Sequence, residues 1–374
     1  MEMIRDKPVL GLGIGAFSYH YLDYQAAYLL NHPAYIKYSG KAAEAHNEYL
    51  HLAAETGIVG LVSFLAIIFV FYYLVYQYLE REEDKDDKII IFGLLMGITC
   101  FLTHCLFTFP FHVPVLGSTF FILLGLTMAN INLAGGNKGN DSAQNVVLIQ
   151  FKSNALFLKI VIVMLIIMAV AVLWEIALKP YLAELNYFPG AKYFAEQDND
   201  TALEYFKKAA LYDTKNGRIM HALGSAYYQL DLQEEAQQIL QKTIQIYKDR
   251  NTFRNLGLSY RQSGDFKQAE KQFQQAIYLD PKFYEAYHDL ASLYIYQNEY
   301  EKAIEQWQRA IDLGLAFEEK HIFLYYIGLG YQRLSRQEEA YKYFLAALKE
   351  APDDSSILKD IEQELLNIYL NDNI

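Results

Sequence analysis

The chain has 374 residues, 53% of them apolar, a formal charge of −12 and a mean hydropathy of +0.02. That average conceals two unlike halves: residues 1–182 carry 11 Lys/Arg, 14 Asp/Glu and every long apolar run, and residues 183–374 carry 21 Lys/Arg and 30 Asp/Glu. An acidic second half excludes nucleic acid, whose phosphates need clustered basic residues, and Cys100 and Cys105, both inside an apolar run, read as buried thiols and not as a disulfide.

Residues 1–57 form a polar head with two motifs. The first is Pro8-Val9-Leu10-Gly11-Leu12-Gly13-Ile14-Gly15-Ala16-Phe17, and the second runs from His46-Asn47-Glu48 through Glu55-Thr56-Gly57 to Gly60. The glycine run is no dinucleotide fingerprint, because its third glycine comes one residue early and no βαβ unit follows. It predicts a turn near a membrane surface that lets backbone N–H groups, those of Gly13 and Gly15 among them, approach an anion. The second motif predicts a short polar helix carrying His46 into an apolar segment, with Asn47, His51 and Glu55 as a polar stripe at i, i+4, i+8. His46 and His51 are five apart and do not share a helix face, so no zinc site is expected.

Four segments then reach the roughly 20 apolar residues that a bilayer requires: Ile58–Leu79, Ile89–Phe109, Val115–Leu133 and Ala155–Leu178. Residues 58–134 thus read as three spans, 135–154 as a loop and 155–178 as a fourth span. Arg81, Lys85 and Lys88 in one linker, and Lys138 and Lys152 in the other, place both linkers on the cytoplasmic side. Residues 1–57 and everything after 178 are then expected outside the cytoplasm. A translocated polar head with no span before it implies that Met1 is internal to a longer membrane protein. His104 inside a span could suggest a transporter, but paired intramembrane charges and broken-helix symmetry are missing.

From Ala183 onward the chain is periodic. Gly190, Gly224, Gly257, Ala291 and Gly328 are spaced by 34, 33, 34 and 37 residues, as are Ala202, Ala236, Ala269, Ala303 and Ala340. The unit Leu256-Gly257-x2-Tyr260-x3-Gly264-x-Phe266-x2-Ala269-x3-Phe273-x2-Ala276-x4-Pro281 follows the tetratricopeptide pattern. Five repeats are expected over 183–354, and 355–374 as a capping helix and tail. The fold expectation is therefore all-α, a multi-span helical membrane domain followed by a tetratricopeptide α-solenoid. Tyr227, Tyr260, Tyr294 and Tyr331 share a register and read as inter-repeat packing. Tyr228 and Tyr296 fall outside it and are the candidates for contacting a partner in the repeat groove.

The glycine motif and the His46–Gly60 stretch together resemble the periplasmic-loop signature of the O-antigen ligase and polymerase family, over roughly residues 1–133. The resemblance implies an integral-membrane glycosyltransferase of the bacterial cytoplasmic membrane, with its repeats on the extracytoplasmic side. It would move a glycan from a polyprenyl-diphosphate-linked donor to a glycan, lipid or protein acceptor, without metal or cofactor. His46 would take the acceptor hydroxyl's proton, since imidazole suits that task near neutral pH. Asn47 and Glu55 would orient it or the donor. Arg5, helped by Lys7, Lys37 and Lys41, would face the diphosphate, whose departure needs cationic stabilisation. The family's arginine-bearing segment ahead of the glycine motif has no counterpart here, so this chain by itself is expected to be silent until an upstream membrane half joins it. A polymerase of the same family and a non-catalytic membrane-anchored repeat scaffold are the alternatives.

Overall fold

A computed structural model describes residues 2–38, 45–81, 84–137, 174–314, 319–352 and 355–372, with 163, 164, 167, 168 and 171. All regular structure among the described residues is helical. The chain divides into two compact units, 1–24 with 41–165 and 25–40 with 166–374.

The first unit contains α1 (Glu2–Asp6), the start of α2 (Ala16–Asn31), α3 (Glu48–Arg81), α4 (Lys85–His104) and α5 (Pro114–Asn137). From Ile58, α3 is apolar, and Ile67, Phe69 and Val70 stand exposed along it, as Ile89 and Phe92 do on α4. These two helices are long and apolar enough to cross a membrane, by length and composition. Their hydroxyl groups close on their own backbone: Ser63 donates to the Val59 carbonyl at 2.8 Å, Thr99 to Leu95 at 2.8 Å and Thr103 to Thr99 at 2.8 Å. Such bonds satisfy polar atoms where no water is at hand. Asp84 starts α4 by accepting from the N–H groups of Asp86 and Asp87. Phe71, Val75, Ile91, Ile98 and Phe120 form the core between α3, α4 and α5.

One expected span is corrected at its end. The second stops at His104 and not at Phe109, because the chain turns there and the His104 carbonyl accepts from Phe107 and Thr108 at 3.0 and 3.1 Å. The third expected span lies within the 24-residue helix Pro114–Asn137, which is apolar over Val115–Ile131 among the residues whose side chains are described. The expected fourth span and the 135–154 loop lie largely outside the described residues; of the span's end, Trp174–Leu178 form a single wide π turn leading into α6 (Lys179–Ala195).

The second unit continues with α7 (Asn199–Tyr212), α8 (Gly217–Gln229), α9 (Gln233–Ile246), α10 (Arg250–Gln262), α11 (Phe266–Leu279), α12 (Tyr284–Tyr296), α13 (Tyr300–Asp312), α14 (Lys320–Arg333), α15 (Gln337–Glu350) and α16 (Leu358–Asp372). Helices α6 to α15 pair in sequence as five helix hairpins. A Cβ placed on Gly190, Gly224, Gly257 or Gly328 would meet the side chain of Phe206, Leu240, Phe273 or Phe344 at 2.8, 2.6, 2.7 or 2.6 Å. The small residue on each first helix is thus the socket for a large one on the second. In the fourth hairpin Ala291 takes the glycine's place and Trp307 stands at the position of the large residue, and both are buried. The repeating alanines, Ala202 to Ala340, have no exposed surface, which is why nothing larger recurs there. The final helix α16 closes the stack by burying Ile361 and Ile368 against Leu324 and Phe344.

Candidate active site at the head of the apolar helices

The two sequence motifs meet each other. Within α3 the backbone breaks at Gly57, with φ 66° and ψ −168°. This break frees the carbonyls of Ala54 and Glu55 and the N–H groups of Ile58 and Val59, which would otherwise be unpaired. The segment Pro8–Gly13 satisfies all four: Leu12 and Gly13 donate to Ala54 and Glu55 at 3.0 and 2.8 Å, and Ile58 and Val59 donate to Pro8 and Val9 at 2.8 and 3.3 Å. The approach leaves no room for side chains. A Cβ on Gly57 would lie 2.2 Å from the Val9 oxygen, and one on Gly11 2.3 Å from the Glu55 carbonyl. Both glycines also hold positive φ, which L side chains rarely adopt.

This clasp seats Glu55 in the interior. Phe17 N–H donates to its Oε1 at 3.1 Å, Gly15 N–H bonds the same carboxylate, and His51 Nε2 lies 3.3 Å from Oε1. Burial alone would push the Glu55 carboxyl up; the His51 imidazole and the two N–H groups outweigh it and hold the group below the usual carboxylate range. The glycine run turns its N–H groups on an anion, but that anion is Glu55 of the same chain and not a ligand. Gly13 and Gly15 spend their N–H groups on Glu55's carbonyl and carboxylate, and neither those groups nor Glu55 face outward.

His51 is 3% exposed and stacks on Phe17, with ring centroids 4.6 Å apart. Its Nδ1 accepts from the Ala45 N–H at 3.3 Å, so the hydrogen bonds assign its proton to Nε2, toward Glu55. Its other face meets His112, with ring centroids 4.3 Å apart, from the turn Pro110–His112 between α4 and α5. His112 Nδ1 in turn lies 3.3 Å from Oε1 of Glu48. The series Glu55, His51, His112, Glu48 is a chain of neighbours and not a convergent set around one point; among the described residues no three His, Cys, Asp or Glu are placed to hold a metal ion.

His46 is placed differently from the expectation. It precedes the helix, at a bend before Asn47, and its ring is exposed and rests edge-on against Phe109 at 5.4 Å. The reason is Asn47, which caps the helix: its Oδ1 accepts from the Leu50 N–H at 2.9 Å, and its Nδ2 donates to the Leu106 carbonyl at 2.9 Å. Glu48 N–H donates to the Cys105 carbonyl at 2.8 Å. These bonds tie the head of α3 to the end of α4 and hold His46 beside the turn that carries His112. Arg5 is exposed on α1 and reaches Glu2 at 3.9 Å. Lys7 is exposed too, Lys41 lies outside the described residues, and the position of Lys37's side chain is not among those described. The sequence does not single out Glu48 or His112: Glu48 sits inside the second motif with no spacing that marks it, and His112 lies in a different turn, 66 residues after His46.

In the repeats, Tyr227, Tyr260 and Tyr331 are half-buried against the cores, and Tyr294 is buried with its hydroxyl donating to Glu270 at 2.7 Å. Tyr228 is also half-buried against the central core, whereas Tyr296 is 71% exposed, touching Phe266 at 5.1 Å. Successive first helices are joined by polar side chains: His221 Nδ1 lies 3.0 Å from Thr252 Oγ1, Asn255 donates to Ser225 at 2.8 Å, and Arg254 pairs with Asp289. Beyond them His288 is enclosed by Trp307, Phe323 and Tyr326, and its Nδ1 accepts from Trp307 Nε1 at 3.2 Å. Burial is the chief reason that His288 titrates below its ordinary value.

Residues 1–65 match the family model described as O-antigen ligase, and tetratricopeptide-repeat models match residues 193–256, 251–283 and 273–305. Among curated proteins, the TPR repeat-containing protein YpiA of Bacillus subtilis is 31% identical over 103 residues, 28% of this chain and 24% of its own length. The tetratricopeptide repeat-containing protein trd-1 of Caenorhabditis elegans is 28% identical over 168 residues, 44% of this chain and 21% of its own. The chain thus spans about a quarter or less of these relatives. Among solved structures, MamA aligns at 26% identity over 45% of this chain and 91% of its own, with a TM-score of 0.41. YrrB, described as a TPR protein with an unusual peptide-binding site, aligns at 17% identity over 50% and 90%, with a TM-score of 0.39. The chain joins a segment similar to O-antigen ligases to a run of tetratricopeptide repeats.

Proposed function

We propose that this chain takes part in transferring a glycan from a polyprenyl-diphosphate-linked donor to an acceptor, as a ligase-like component of cell-surface polysaccharide assembly in a bacterial cytoplasmic membrane. The observation that carries the reading lies within the segment that resembles the ligases. Two glycine motifs lock together there and present an unburied imidazole, His46, at the head of two apolar helices. A lipid-linked donor needs such a place, with its polyprenyl chain in the bilayer and its sugar at the surface. His46 is the proposed catalytic residue, and Arg5 the proposed contact to the diphosphate. The repeats, with Tyr296 exposed on them, are the proposed holder of a protein or glycan partner.

The test replaces His46 in cells that use the chain. His46→Ala is expected to lower transfer by about 10²–10⁴-fold, so that lipid-linked glycan accumulates while the protein stays in the membrane at its normal level. Undiminished transfer would leave the repeats as a scaffold and His46 without a chemical role.

A further inference from the structure

The head of α3 holds three imidazoles in three different states of constraint. His51 is buried, with Nδ1 taken by the Ala45 N–H and Nε2 by Glu55. It has no nitrogen left for a substrate. His46 is open, but among the described residues only the edge contact with Phe109 holds its ring. His112 alone combines constraint with access. Its Nδ1 faces Glu48 at 3.3 Å, its flank rests on His51, and its side chain is 35% exposed. An imidazole whose Nδ1–H is held by a carboxylate has Nε2 fixed as the acceptor, the arrangement by which a base is oriented in nucleophilic catalysis.

Glu48 carries a second sign. It is 8% exposed, and its Oε2 is buried with no hydrogen-bond partner among the described residues. A buried carboxylate this poorly satisfied is costly. The cost is offset when the ring beside it gains a proton and the pair becomes carboxylate and imidazolium. A ring that takes a proton during the reaction thus finds an opposite charge already beside it.

Resting on the transferase reading above, we infer that His112 is a further catalytic residue, the acceptor of the hydroxyl proton, and that Glu48 is its positioning residue. In the step, the acceptor hydroxyl gives its proton to His112 Nε2, and the oxygen's electron pair forms the new bond to the anomeric carbon. The bond from that carbon to the diphosphate oxygen breaks, and its electron pair leaves with the polyprenyl diphosphate. His46, which shares Phe109 as a neighbour with His112 (ring centroids 5.4 and 6.5 Å from that of Phe109), then acts on the departing diphosphate by hydrogen bonding, in place of the proton-accepting role that the resemblance implied for it.

The experiment compares wild type, His46→Ala, His112→Gln and Glu48→Gln in membrane vesicles from the cells that naturally use the chain, with the membrane partners it needs in place, supplied with a polyprenyl-diphosphate-linked oligosaccharide and its acceptor. His112→Gln is expected to lose about 10²-fold or more in kcat together with the acid limb of the pH–rate profile. Glu48→Gln should lose at least about tenfold in kcat with KM unchanged, and His46→Ala should be slow but keep the acid limb. A second arm reads the tautomer of His112 by nitrogen-15 NMR of the detergent-solubilised wild type, where the proton is expected on Nδ1. Normal transfer by His112→Gln, in vesicles where the wild type is active, overturns the inference and leaves the transferase reading standing. An Nε2–H tautomer overturns it whatever the transfer assay gives. No transfer by the wild type, with the Nδ1–H tautomer present, overturns the transferase reading and with it this role.

Discussion

Gly57 and Gly11 show how single residues set the site. Each stands where the backbone needs positive φ and where the other segment's main chain passes within contact distance, so neither tolerates even a methyl group. Gly57→Ala should open the clasp at a cost of about 1–3 kcal/mol or more from backbone strain alone, read as a lower melting temperature of the solubilised protein. Gly11→Ala should do the same, and the double variant should cost less than the sum, since both break one contact; full additivity would show two independent sites. His288 gives a pH dependence with a definite sign. Its folded form titrates below the ordinary value of 6.5, chiefly through burial, so the unfolded chain takes up the proton more readily. The stability it contributes is whole above about pH 6.5 and declines as the pH falls below it. In a Trp174→Phe background, where Trp307 alone reports, melting of the repeats should shift down on acidification, and His288→Gln should remove part of that shift.

At the scale of elements, the repeats were the most legible part of the sequence, because sockets and knobs must recur wherever helix hairpins stack. The spacing of Gly190, Gly224, Gly257, Ala291 and Gly328 leads directly to the contacts with Phe206, Leu240, Phe273, Trp307 and Phe344 at the matching places on the second helices. One periodic feature stayed hidden. The turn between the two helices of each hairpin puts a residue at positive φ: Gln197, Asp231, Gly264, Asn298 and Ser335. Only one of the five is glycine, so residue type does not reveal the register. Gln197→Gly and Ser335→Gly should each raise stability by up to about 1 kcal/mol, as relief of left-handed strain outweighs the added freedom of the unfolded chain; a loss in chemical denaturation would show that the turn is unstrained. The site was legible only in part. His46 and the two glycine motifs could be found because each is contiguous. That they clasp one another could not, since the partner of the break at Gly57 lies some 45 residues earlier and pairs through its backbone, and His112 joins the cluster from a separate turn. The helix assigned to His46 began two residues later, because Asn47 caps it and the histidine stands outside.

At the scale of the whole molecule, the proposal needs the repeats and the His46 head on the extracytoplasmic side. In a background without Cys100 and Cys105, Lys349→Cys on the exposed surface of α15 should be labelled in intact cells by a membrane-impermeant thiol reagent. Labelling only after lysis would reverse the orientation and remove the head from the side where a flipped lipid-linked donor is presented. The most direct measurement follows the leaving group. Membrane vesicles from the cells that naturally use the chain, with the membrane partners it needs in place, are given a polyprenyl-diphosphate-linked oligosaccharide and acceptor, and free polyprenyl diphosphate is measured beside the glycosylated product. The account predicts that the two appear in equal amounts with the wild type, and about 10²–10⁴-fold more slowly with His46→Ala. Release of polyprenyl diphosphate at the same rate from both, or from neither, would contradict it.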